Sequence, residues 1–136
     1  MRETTNTESF TKGTALIISP EKVPRKKDIL LDHEEFRHVL HGNLRIIRSK
    51  KLGVAFVFNK DWEVLRLPLN RVVFSSNQKY SFMLYGTFIV VGQDADLNYT
   101  GLTQEQLRYF KCRFHVPARM DMVDGKPEIV FDLLAR

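Results

Sequence analysis

Cysteine is nearly absent from this sequence. Cys112 stands alone, so no internal disulfide can hold the fold. Its expected place is as a small buried hydrophobe, because no neighbour reads as an activating base. Long hydrophobic runs are missing too. The longest, Leu52–Phe58, contains Gly53 and is far short of the ~20 residues a membrane helix needs. The stretch from Met1 to Gly13 is polar and threonine-rich, with none of the apolar core of a signal peptide. The expectation is a cytoplasmic protein with no membrane partner. Gly-x-Ser-x-Gly, Cys-x-x-Cys and a glycine-rich phosphate loop are all lacking. Those absences remove the hydrolases, thiol redox enzymes and nucleotide-cleaving enzymes that carry them.

What is present suits a self-sufficient core. At 136 residues, with 43% apolar side chains and ten Phe, the chain needs no metal or cofactor to fold. The reading is a flexible tail over 1–13 and one α+β domain over 14–136. Thr14–Ser19 forms a β-branched strand stopped by Pro20, and residues 20–30 form a basic connector. Asp32 caps a helix over 33–41, with Glu35 three residues on and Leu31 stapled to Phe36. Extended segments follow at 43–48, 53–59 and 62–67, with turns at Lys50-Lys51 and Asn59-Lys60-Asp61. A second β block spans 80–85 and 87–91, with Gly86 marking a bulge or a close backbone approach. Thr103 and Gln106 form a capping box for a second helix that ends near His115, before Pro117. Asp124-Gly125 turns one last strand into Ile129–Leu134, which is either strand or short helix. The predicted architecture is a small antiparallel meander with two short helices.

The charge of +5 is uneven. Residues 11–72 hold 13 Lys and Arg against 7 Asp and Glu, while residues 73–136 hold seven of each. Arg25, Lys26 and Lys27 make one cluster, and Arg45, Arg48, Lys50 and Lys51 make another. With Tyr80, Tyr85 and Tyr99 as stacking faces, such a set suits a phosphate-bearing ligand or nucleic acid. An ordinary solvated face with core aromatics is the plainer reading.

Three motifs follow one another along the chain: LPLNR at 67–71, YGTFIVVG at 85–92 and an aromatic-rich F-x-x-P at 114–117. With the initial strand ending in Pro and the capped helices, this pattern resembles an uncharacterised domain family found in phages, plasmids and gut bacteria. The resemblance runs from about residue 14 to 118. Asn70-Arg71 and Gly86-Thr87-Phe88 are its most recognisable points. Phe82 departs from it, standing where an acidic residue is expected four positions before the glycine. The family implies no transferable activity. It implies a setting, that of a mobile-element accessory protein meeting host defence systems.

Candidate chemistry is sparse. Asp94, Asp96, Asn98 and Glu105 echo the oxygen positions of a calcium loop, but Tyr99 sits where the sharp turn needs Gly. His38 and His41 lie three apart beside His33, without metalloprotease spacing, and His115 is remote. No catalytic residue and no metal ligand is therefore assigned. Asn70-Arg71 reads either as a backbone anchor or as one wall of a pocket. The candidate ligand residues are Asn70, Arg71, Tyr80, Tyr85, Gly86 and Thr87. The expected function is a non-enzymatic binding protein that takes a host protein or a small nucleotide-like ligand. The alternative is a nucleic-acid-binding module using residues 25–27 and 45–51. Edge strands need protection, and a homo-oligomer is one solution open to the chain.

Overall fold

A computed structural model describes residues 11–74 and 81–131. Its centre is an antiparallel sheet of β1 (Lys12–Ile18), β2 (Arg25–Leu30), β3 (Leu44–Ser49), β4 (Val54–Asn59) and β7 (Phe88–Gln93). The order across the sheet is β2-β1-β7-β4-β3. A short β8 (Tyr99–Thr100) pairs with the end of β7. The class is α+β and antiparallel, as the sequence predicts. The order refines the expected meander, because β7 inserts between β1 and β4.

That insertion explains why 54–58 and 88–91 read as unbroken apolar runs. Every residue of β4 and β7 is buried, so both faces of these strands are covered. On one face, Leu16, Phe56, Phe88 and Val90 pack against Leu107, Phe110 and Phe114. Leu107 and Phe110 come from α2 (Gln104–Arg113), and Phe114 caps it. Val73 and Leu84 join from the ribbon of β5 (Leu69–Phe74) and β6 (Ser81–Tyr85). On the other face, Ala55, Val57, Ile89 and Val91 meet Phe36 and Leu40 of α1 (His33–Leu40). A further hairpin, β9 (Ala118–Val123) with β10 (Lys126–Phe131), completes the described chain.

The capping signals decide where both helices begin. The Asp32 side chain accepts the N–H of Glu35. Thr103 and Gln106 form both bonds of the capping box. The first helix stops one residue earlier than Gly42 suggests, because His41 itself takes the left-handed conformation at φ 59°. Asp124 and Gly125 both have positive φ, at 52° and 79°, the signature of a tight two-residue hairpin turn. The strand they start is β10, which runs to Phe131.

Four expectations need correction. The first strand begins at Lys12, inside the stretch read as a tail. Residues 25–30 are not a connector but edge strand β2, hydrogen-bonded along β1. Arg25–Asp28 are exposed, so no alternating apolar pattern betrays them. Residues 62–67 form a tight turn, closed by the N–H of Leu65 on Asp61 O and that of Leu67 on Trp62 O. Conversely, Leu69–Phe74 is a strand, although its polar pair reads as a turn.

Gly86 makes the close approach expected of it. Its φ is +73°, and a Cβ there would lie 2.6 Å from Leu67 Cδ1. Gly86→Ala therefore adds both backbone strain and a clash, and should cost about 2 kcal/mol or more. Chemical denaturation checks this, and an unchanged midpoint would contradict it.

Candidate functional site

The three motifs that carry the family resemblance converge on one buried clasp. A bulge between Leu69 and Arg71 breaks the alternation of β5, so two consecutive residues turn inward. Asn70 is 0% exposed and Arg71 2%. Asn70 Nδ2 donates to Ile18 O and to Gly86 O, both at 2.8 Å. Arg71 Nε donates to Phe114 O at 2.8 Å, and Nη1 to Asn70 Oδ1 at 2.6 Å and Asn70 O at 3.1 Å. Its Nη2 donates to Lys22 O. The pair thus ties together the end of β1, the loop after it, the Gly86 bend and the end of α2.

Burial lowers the Arg71 pKa to about 10, so the guanidinium stays charged at neutral pH. Its charge is met by carbonyl dipoles. Asn70 and Arg71 together present almost no surface for a ligand to contact. Of the two readings of Asn70-Arg71, the backbone anchor describes the geometry. Gly86 is buried in the same clasp, and Thr87 Oγ1 lies 3.3 Å from Ser19 Oγ. Tyr85 stacks flat on Trp62, with ring centroids 4.0 Å apart and planes within 6°. Tyr80 lies outside the described residues.

A different set of polar groups meets on the α1 side of the sheet. Arg48 faces that side because it pairs with Ala55 on β4. Its Nη1 donates to Gln93 Oε1 at 2.7 Å and its Nη2 to Tyr99 Oη at 3.1 Å. The guanidinium carbon lies over the Tyr99 ring, 5.1 Å from its centre. His33 Nε2 is 2.7 Å from the same Tyr99 oxygen. The Tyr99 ring is wedged edge-on against Phe36 at 5.2 Å. So β3, β7, β8 and the first residue of α1 each contribute one member.

These groups border a cleft of about 600 Å³ lined by Thr11, Leu31, Asp32, His33, Arg48 and Tyr99, with Leu97 and Asn98. A second cavity of about 370 Å³ adjoins it through Leu97 and has Lys50 in its wall. Arg48 uses two of its five N–H groups here, leaving three to donate. Asp32 is the carboxylate of the lining, and its Oδ1 accepts the N–H of Glu35. Donors of this kind beside an aromatic ring are the chemistry that suits an anionic group attached to a flat ring.

Burial raises the Tyr99 phenol above its usual 10, while the Arg48 charge and hydrogen bond pull it back. Arg48→Gln should therefore push Tyr99 higher still in an absorbance titration, with Tyr99→Phe as the reference; a fall would contradict the contact. The folded state holds this proton more tightly than the unfolded chain. The resulting stability is full below pH 10 and is lost as pH rises through the folded value.

The remaining candidates disperse. Arg25, Lys26 and Lys27 lie on β2, and Arg45 and Arg48 on β3, at opposite edges of the sheet. Four strand spacings separate them, roughly 19 Å. Arg45 faces the α2 side, opposite Arg48, because it pairs with Phe58. Lys50 and Lys51 sit in the turn after β3. Asp94 Oδ1 accepts the N–H groups of Asp96 and Asn98, so this carboxylate shapes its own loop. The Asn98 N–H is the chief reason its pKa is lowered. The rings of His38 and His41 are 6.5 Å apart. Among the described residues, no group of three or more His, Cys, Asp or Glu converges as a ligand set. Cys112, expected to be buried, is exposed on α2. No helix among the described residues is long and apolar enough to cross a membrane.

Fold and site together define an antiparallel α+β domain with an open cleft, bordered by Arg48, Tyr99 and His33, on one face of its sheet. The chain belongs to the family described as a domain of unknown function, DUF3846, whose match covers residues 12–115. No curated protein and no solved structure matches it. The match includes the clasp and every residue of the cleft but Thr11, and it ends before the hairpin of β9 and β10.

Proposed function

We propose that the protein is a non-enzymatic binding protein whose cleft takes a small phosphorylated, nucleotide-like ligand. One observation carries this reading: Arg48 and His33 meet on Tyr99 at the border of a cleft of ligand size. Arg48 would bind phosphate through its unused N–H groups, and Lys50 in the adjoining cavity would attract a second charged group. The cluster offers donors and a ring, the complement of a phosphate and a base. We assign this activity the setting that the resemblance implies, a mobile-element accessory protein that sequesters a host signal.

Native mass spectrometry of protein purified from cells, followed by calorimetry with a panel of nucleoside phosphates, tests the reading. It expects one saturable site per chain. A protein that emerges unliganded and ignores the whole panel would overturn it. Tight binding to DNA or RNA that weakens steeply with salt would replace it with the nucleic-acid alternative.

A further inference from the structure

Gln93 ends β7 and stands between the two cavities. It lines the smaller one and holds Arg48, which lines the larger. It is 8% exposed. Arg48 has only N–H groups to give, so the Gln93 atom that meets its Nη1 at 2.7 Å is the carbonyl Oε1. The amide Nε2 is left with two N–H groups, and among the described residues none accepts either of them. The backbone of Gln93 is satisfied, its N–H donating to Gly53 O. A buried donor without an acceptor is costly, and native proteins rarely keep one without a use for it.

We infer that the smaller cavity is a second anion subsite for the same ligand, which therefore carries two phosphates separated by a sugar. Arg48 holds one phosphate; Gln93 Nε2 and Lys50 hold the other. This rests on the reading of the cleft as a phosphate site. Lys50 lines the smaller cavity and follows Arg48 by two residues, in the turn after β3. Its ammonium supplies attraction on a flexible stem, while the buried amide supplies a fixed direction. Asp94 brings a carboxylate to the same wall, but that group is engaged by its own loop. Its Oδ1 accepts the N–H groups of Asp96 and Asn98, and its Oδ2 lies 3.5 Å from Asn98 Nδ2. Leu97 lines both cavities. Its apolar side chain marks where the link between the phosphates crosses, and the apolar face of a sugar suits that place.

Calorimetry on the full chain tests this, with nucleoside 5′-monophosphates and the matching 3′,5′-bisphosphates of the four common bases. The bisphosphate should bind wild type at least about tenfold more tightly, the worth of a charge-assisted hydrogen bond. In Lys50→Ala and in Gln93→Glu that advantage should shrink to less than about threefold. Gln93→Glu keeps an oxygen for Arg48, puts a second in place of Nε2 and conserves volume. The ratio of the two affinities sets aside any effect it has on Arg48 itself. Lys50 is exposed in its turn, so Lys50→Ala decides the matter even where a buried carboxylate at position 93 unfolds the chain. Equal binding of the two ligands by wild type would overturn the inference and leave the cleft reading standing. So would an advantage that survives the Lys50 substitution. A chain that binds neither ligand would overturn both.

Discussion

Replacing Arg71 with methionine should lower the unfolding free energy by roughly 3 kcal/mol or more, about 10 °C in melting temperature. The side chain spans Phe114 O, Lys22 O and both oxygens of Asn70. Methionine fills much of the volume but strands those acceptors in a dry site, each at a cost of about 1–3 kcal/mol. Relief of the desolvation that lowers the Arg71 pKa offsets part of the loss. Lysine should rescue little, because an ammonium on a single stem cannot reach acceptors on three segments at once. A loss below 1 kcal/mol by urea denaturation would mean that the clasp does not hold the fold. Ligand binding by Arg71→Lys, measured under conditions where it is folded, should match wild type.

Arg48 should behave in the opposite way. Arg48→Ala should weaken capture of a phosphorylated ligand by roughly 30–100-fold, the worth of about 2–3 kcal/mol in charge-assisted hydrogen bonds. Stability should change by less than about 1 kcal/mol, because the side chain lies at an exposed sheet edge. Tyr99→Phe keeps the ring and removes the oxygen that links His33 to Arg48, so it should cost binding several-fold. The two arginines thus separate cleanly: one variant loses the fold and spares the ligand, the other loses the ligand and spares the fold. Equal affinity in wild type and Arg48→Ala would remove the cleft from consideration.

Much of the architecture was legible because local rules coincide with the global fold. Asp32 and Thr103 cap where they should, Asp124-Gly125 turns the last hairpin, and Gly86 makes its close approach. The misses have physical causes. Strand β2 owes its form to hydrogen bonds with β1, and Arg25–Asp28 carry no apolar stripe to reveal it. Strand β5 was hidden by its bulge, which turns a polar pair into the core. The 62–67 segment reads as alternating, yet Arg66 adopts φ 57° and the chain folds back.

The cleft was legible only in pieces. Arg48 appeared in a basic cluster, Tyr99 among the stacking aromatics and His33 beside the helical histidines. They are 51 and 66 positions apart along the chain, and no spacing rule joins residues that meet through sheet order. Gln93 carried no signal at all, since a lone glutamine after an apolar run reads as a strand end.

The account stands on the claim that the Arg48–Tyr99–His33 cleft is where the ligand binds. Titrating isotope-labelled protein with nucleoside phosphates and following side-chain and backbone resonances addresses it directly. Saturable shifts should centre on His33, Arg48, Asn98 and Tyr99 and be lost in Arg48→Ala. Saturable shifts centred on Arg25–Lys27 or on Tyr85 and Thr87, with the cleft resonances unmoved, would contradict it.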